Sequence, residues 1–452
     1  MGEMSLTEEL VSWLIKTKQN GFSEKALAYA RYYLTDWLGS TIGGHRSQPG
    51  RIVLNYAAKQ PTGTSGIVGT SLRVSAESAA LVNGSLSHIV EMDDLHRRSV
   101  VHPGAVVVPA ALAIAEREGC TGQELLCAIV AGYEVVIRIG EAVGKRHYYY
   151  FHNTATCGVF GAAAATGWLL GLNNEQLVWS LGNAGTQAAG LWQFNADGDM
   201  SKHLHAGMAA ADGVRAAELA LLGLTGPREI LEGDRGFFAA TAPDAEPSVV
   251  LDGLGSEALR IGTVSIKPHA SCRHTHPAID AALALRDDLS SQGVTDNEIE
   301  HYRLTTYQAA LDLCDNPSPQ SPYAAKFSLQ YCIAIALMWG EVGLAEFDPE
   351  RIDDPAIPPL LSKIHLQPSS KYEVAYPAQW PAHLQIVLRD GSSFSHEVLH
   401  PKGDPENNLS LSELEAKFCQ LAQFANSDPE PWLEWVYALN DSAPVLLRSS
   451  NK

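Results

Sequence analysis

What this sequence lacks narrows its chemistry first. No GxGxxG follows a strand-like run, and neither GxxxxGK[ST] nor GxSxG occurs. Dinucleotide-binding, P-loop and nucleophile-elbow enzymes are therefore set aside. The seven cysteines are scattered and form no CxxC, and no haem or iron–sulfur spacing is present. That pattern points to free thiols in a reduced compartment, so a cytoplasmic protein is expected. The longest apolar run, GAVVVPAALAIA, is about half of the ~20 residues that a membrane span needs, and it contains a proline. The N-terminal stretch reads as neither a signal peptide nor a basic transit peptide. Basic charge is also in short supply. Lys and Arg number 32 against 51 Asp and Glu, a net charge of -19. A phosphate-backbone partner is excluded on that ground, and a small anionic ligand would need a locally positive pocket. What remains is cofactor-free movement of protons by side chains.

What is present is a folded chain of 452 residues, 46% apolar and 18% charged. That length predicts two domains. Up to about residue 224 the periodicity is helical, with capping boxes at Ser5–Glu8 and Thr121–Glu124 and a helix opening at Ser23 and closing at Gly43–Gly44. The alanine-rich runs VFGAAAATGWLLGL and GMAAADGVRAAELALLGLTG predict closely packed central helices. A Pro/Gly/Asp stretch at 242–256 marks a change of character. Beyond it, RIGTVSIKPH and IEHYRLTTYQ read as strands, and HLQIVLRDGSSFSHEVLH reads as a hairpin turning at Asp390-Gly391. Helices are expected at 277–290 and in AAKFSLQYCIAIALMWG, and helix returns after 403 behind a capping box at Ser410–Glu413. The expected fold class is mainly α, with a large all-helical domain from both chain ends (1–258 and 403–452) and a smaller α+β lid (259–402).

Four stretches concentrate the titratable groups. In LVNGSLSHIVEMDDLHRRSVVHPG, residues Asn83, His88, Glu91, Asp93, Asp94, His96, Arg97, Arg98 and His102 crowd a helix end, and Pro103 pushes His102 out of helical backbone. A carboxylate beside an imidazole fixes its tautomer and raises its basicity. Arg97 and Arg98 suit a substrate carboxylate; the competing reading is a solvated loop of local ion pairs. In HYYYFHNTATCG, His152 precedes a helix start and is either an acid–base group or a simple cap, while His147 reads as surface. In DMSKHLHAGMAA, Lys202, His203 and His205 open an alanine-rich helix, where a lysine could stabilise an enolate or be merely exposed. In SIKPHASCRHTHPAID, Lys267, His269, Cys272, Arg273, His274 and His276 fall between a strand and a helix. A zinc site and a Cys–His nucleophile are conceivable there. The favoured reading is a basic loop in which Lys267 and Arg273 contact an acid.

Taken in order, DWLGSTIGG, the 81–104 stretch, FHNTATCGVFGAAAATGWLLGL, SKHLHAGMAAADGVRAAELALLGLTGP, SIKPHASCRHTHPAIDA and AAKFSLQYCIAIAL resemble the MmgE/PrpD family. The resemblance covers most of the chain. It implies a helical domain from both chain ends, an α+β lid, a homodimer, and cofactor-independent chemistry on a small di-, tri- or tetracarboxylate in a cleft between domains. It places acid–base and cationic roles on Glu91, Asp93, His102, His152, Lys202 and Lys267, with Cys272 and His276 in the lid loop. The tricarboxylate enzymes of the family read D-F-[ND]-D-T-W where this chain reads EMDDLH. That departure makes an iminodisuccinate-type epimerase the expected activity, with 2-methylcitrate-type dehydration and cis-aconitate-type decarboxylation as alternatives. A cysteine-dependent hydrolase and a non-catalytic polycarboxylate-binding protein are the expectations from other classes.

Overall fold

The computed structural model describes residues 4–447, and it is mainly α, with strands confined to two small sheets. The chain divides into two compact units. One comprises residues 4–264 and 410–447, and the other is Ser265–Leu409.

The first unit is built on the helices Ala76–Ile89, Pro103–Glu118, Gly122–Ala142, Gly158–Leu169 and Ser201–Leu221, which pack on one another. Their small residues explain the closeness. A Cβ at Gly207 would stand 2.2 Å from the Leu81 carbonyl oxygen, so Ala76–Ile89 and Ser201–Leu221 meet backbone to backbone. Starts are set by side chains: Ser5 and Thr121 form complete capping boxes, Ser23 caps Glu24–Gly44, and Ser410 begins Leu411–Phe424 with a further box. Leu411–Phe424 packs on Glu24–Gly44, which returns the C-terminal segment to this unit. The unit is not purely helical, since β1 (Ser65–Gly66) pairs antiparallel with β2 (Arg73–Val74). The 247–252 stretch is held to Gly122–Ala142, because Arg138 donates to the carbonyls of Val250 and Asp252 at 3.1 and 2.9 Å.

The second unit carries β3 (Ile299–Thr306), β4 (Ile364–Pro368), β5 (Ala382–Leu388) and β6 (Ser393–Val398) in the order β4-β3-β5-β6. The β5–β6 hairpin turns at Asp390-Gly391, where Gly391 has φ +87°. The β3–β4 pair is parallel. Helix His276–Gln292 covers β5 and β6 and packs against Leu329–Trp339.

RIGTVSIKPH departs from the strand expected of it. Arg260–Thr263 is a 3₁₀ turn, and the following residues form no ladder. Ile266 donates to the carbonyl of Gly403, Ala270 to Val342 and Cys272 to Lys326, at 2.8, 3.0 and 2.9 Å. Pro268 removes one donor, and these partners lie on three separate segments, so no single strand can pair there. Among the described residues, no helix is long and apolar enough to cross a membrane.

Candidate active site

Four segments of the first unit bring their titratable groups together. His88 lies at the end of Ala76–Ile89, and the loop that follows carries Glu91, Asp93 and Asp94. His102 stands immediately before Pro103–Glu118 in non-helical backbone (φ -96°), as Pro103 requires, with its amide donating to Thr154 Oγ1 at 3.1 Å. His152 precedes the short helix Asn153–Thr156 and donates its amide to the Gly190 carbonyl at 2.9 Å. Lys202 is the second residue of Ser201–Leu221. All of these side chains are buried.

The centre is one carboxylate oxygen. Asp93 Oδ2 accepts from His88 Nδ1 at 2.7 Å and lies 3.0 Å from His102 Nδ1. An ionised carboxylate only accepts, so each facing nitrogen carries the proton and Nε2 becomes the basic position of both rings. Burial alone would raise the Asp93 carboxyl. The imidazoles of His102 and then His88 reverse this and hold it well below the usual carboxylate range. His88 meets His102 edge-on at 4.7 Å and stacks on His152 at 5.4 Å between centroids. Burial, followed by the nearby His88 and the Lys202 ammonium, pushes the His152 imidazole well below its ordinary value and keeps it neutral. The Lys202 ammonium pairs with Glu91 in a buried ion pair. Glu91 has φ +60° and Val100 has φ +49°, left-handed conformations that a side-chain-bearing residue, and above all a β-branched one, adopts only under constraint. Such strain is typical of functional loops.

The loop is anchored from beneath. Asp94 accepts from Tyr133 Oη at 2.7 Å and from the Gly104 amide at 3.0 Å. A Cβ at residue 104 would stand 2.8 Å from both Asp94 Oδ1 and Tyr133 Oη, so only glycine brings that amide close enough. Burial, and then the nearby Asp36 charge, pushes the Asp94 carboxyl well above its ordinary value. Lys417, from the C-terminal segment, pairs with Asp36 and donates to the Met92 carbonyl at 2.6 Å. Asp36 and Lys417 escaped the sequence reading because 381 positions separate them.

His88, Asp93 and His102 are compact enough to suggest a cation site, with ligand atoms within 4.8 Å of one another. Zinc ligands at about 2.0–2.1 Å and tetrahedral angles stand about 3.3 Å apart. The 2.7 Å His88–Asp93 contact is that of a hydrogen bond. The HExxH spelling at His396–His400 runs along β6 into the turn after it. A strand spreads residues i and i+4 about 13 Å apart, which rules out the zinc geometry of a helix.

The remaining expected residues divide. Arg98 is 65% exposed and reaches Glu141 at 3.5 Å, which matches a local ion pair rather than a grip on substrate. Arg97 is buried near His96, whose imidazole is pushed down to about 3 by burial first and then by Arg97, Arg260 and Arg98. His147, expected at the surface, is buried between Thr156 Oγ1 and the Thr241 carbonyl at 2.8 and 3.1 Å. Lys267, Cys272, Arg273 and His276 belong to the second unit. Lys267 is fully buried and Cys272 is a half-buried thiol. Arg273 is locked onto Asp404 at 2.6 Å and donates to the carbonyls of Lys402 and Pro401 at 3.0 and 3.3 Å. Those bonds correct its expected role as a contact to a substrate acid. His276 Nδ1 sits 2.9 Å from Arg273 Nη1, and its imidazole is pushed well down by burial and then by that guanidinium. His88 and His205 were present in the sequence clusters but received no role there. The available signal for His205 was its i+3 spacing from Lys202, which puts both on one helix face.

Comparison with known proteins adds an independent finding. Residues 8–250 match the model of the MmgE/PrpD N-terminal domain, and residues 269–433 match that of the MmgE/PrpD C-terminal domain. A cis-aconitate decarboxylase-like protein of Aspergillus oryzae is 27% identical over 93% of this chain and 91% of its own length. Human cis-aconitate decarboxylase is 27% identical over 92% of this chain and 87% of its own length. The mitochondrial 2-methylcitrate dehydratase of Yarrowia lipolytica is 27% identical over 29% of this chain and 26% of its own length.

Proposed function

The chain belongs to the MmgE/PrpD family, and we propose that it is a cofactor-independent lyase that removes CO₂ from a small unsaturated tricarboxylate of the cis-aconitate kind. One observation carries the chemistry: His88 and His102 both face Asp93 Oδ2 beside the buried Lys202–Glu91 pair. When CO₂ leaves such an acid, its bonding electrons move through the adjacent double bond onto a carbon next to another carboxylate. That carboxylate becomes an enediolate, which a cation stabilises and a proton donor quenches. Lys202 supplies the cation, and an imidazole of the cluster protonated at Nε2 supplies the proton.

Decarboxylation is preferred to dehydration because the decarboxylase relatives align along nearly the whole chain, whereas the dehydratase relative aligns along less than a third. The epimerase expected from EMDDLH finds no counterpart among these relatives, and that motif departure alone does not sustain it. The test is incubation of the full chain with cis-aconitate and, separately, with 2-methylcitrate, following CO₂ release and alkene absorbance. CO₂ from cis-aconitate supports the reading. Alkene formation from 2-methylcitrate without CO₂ from cis-aconitate replaces it with the dehydratase reading.

A further inference from the structure

The buried cluster lies within hydrogen-bond distance of a residue that lines a cavity. His205 Nδ1 faces His152 Nδ1 at 3.4 Å. Trp192 and Phe194 pack edge-on against His152, and Phe194 does the same to His205. His205 in turn lines a cavity of about 420 Å³ whose walls include Ala155, Gly190, Leu204 and Met208. Leu204 and Met208 are 43% and 38% exposed, so the cavity meets solvent. His152 and Lys202, by contrast, are 2% and 3% exposed.

We propose that His205 is a relay residue that carries a proton from this solvent-facing cavity to His152, resupplying the site after each turnover. The proposal rests on the decarboxylase reading, because loss of CO₂ from a carboxylate consumes one proton per cycle whereas loss of water consumes none overall. Water protonates Nε2 of His205, and its Nδ1 proton passes to Nδ1 of His152. The Nε2 proton of His152 then goes to the substrate carbon. Each ring stays neutral and ends as its other tautomer; loss of that ring proton to water and gain of one from water at the other nitrogen then restore it, with no net change in protons. Burial first, and then nearby positive groups, pushes His205 down to about 4 and His152 lower than usual, so neutral imidazoles suit this exchange.

The test uses His205→Ala in the full chain, with His205→Gln as the bulk-keeping variant should the first fail to fold. kcat for CO₂ release should fall at least about tenfold, with KM within about twofold, and added imidazole should enter the cavity and restore turnover. No loss, a loss confined to KM, or a loss that imidazole does not repair overturns the relay. A second readout needs no substrate: the ring ¹⁵N shifts of His152 in the unliganded protein should move in the variant. If the wild type releases no CO₂, the decarboxylase reading fails by itself, and unmoved His152 nitrogens then overturn the relay.

Discussion

In the 88–102 stretch, two imidazoles face one carboxylate oxygen and the backbone is held at φ +60° and +49°. In the 265–276 stretch, comparable letters bond to partners within the second unit. Arg273 is fixed to Asp404, which also accepts from Ser265 at 2.7 Å. His269 pairs with Asp280 at 3.0 Å, and Ser271 meets Thr275 at 2.8 Å. His274 binds Tyr307 at 2.7 Å and stacks on Trp380 at 4.2 Å. The first stretch sets two imidazoles on one buried carboxylate oxygen beside an ammonium, whereas Arg273 and His274 of the second bond to Asp404 and Tyr307. Density of titratable groups therefore does not tell the two stretches apart; the arrangement of their partners does.

The strongest way to break this contrast is Asp93→Asn. An amide cannot fix both imidazole tautomers, so kcat should fall about 10²- to 10⁴-fold with the fold retained by circular dichroism. Activity within about threefold of wild type would strip the cluster of its role. Next is Lys202→Met combined with Glu91→Gln, which removes the cation without leaving a buried charge unpaired. A fall of about 10²- to 10³-fold in kcat is expected, read by steady-state kinetics.

On the other side of the comparison, Arg273→Ala should act on stability, lowering the denaturation free energy by about 3–5 kcal/mol because a buried ion pair with Asp404 is broken from one side. A loss of more than about tenfold in kcat without that destabilisation would make the second stretch catalytic as well. Asp94→Asn probes the anchor beneath the loop. A carboxyl raised in the folded state stabilises at pH below its unfolded value and loses that contribution as pH rises through its folded value. Denaturation midpoints should therefore favour the variant increasingly from about pH 4 upward. The smallest effect is expected of Cys272→Ser: near wild-type turnover, measured with and without alkylation, excludes a thiol nucleophile.

Much of this was legible in the sequence. Helix starts at Ser5, Ser23, Thr121 and Ser410 and the Asp390-Gly391 turn follow from local rules, because one side chain or one φ decides each. The mainly α class followed from the alanine-rich periodic runs. What escaped depends on partners distant in sequence. The pairing of β4 with β3 joins segments about 60 residues apart, Asp36 meets Lys417 across the chain, and Arg273 meets Asp404 131 positions away. His88 and His205 were visible as letters, but only their contacts to Asp93 and His152 give them work.

The central claim, that the Asp93 cluster delivers a proton to carbon next to a carboxylate, is tested most directly in D₂O. Cis-aconitate is incubated with wild type and with Asp93→Asn, and the product is read by NMR. One deuterium on the product carbon beside a carboxylate, formed by the wild type and lost in step with turnover in the variant, is the predicted result. Deuterium delivered equally fast by the variant, or none delivered by the wild type, would contradict the account.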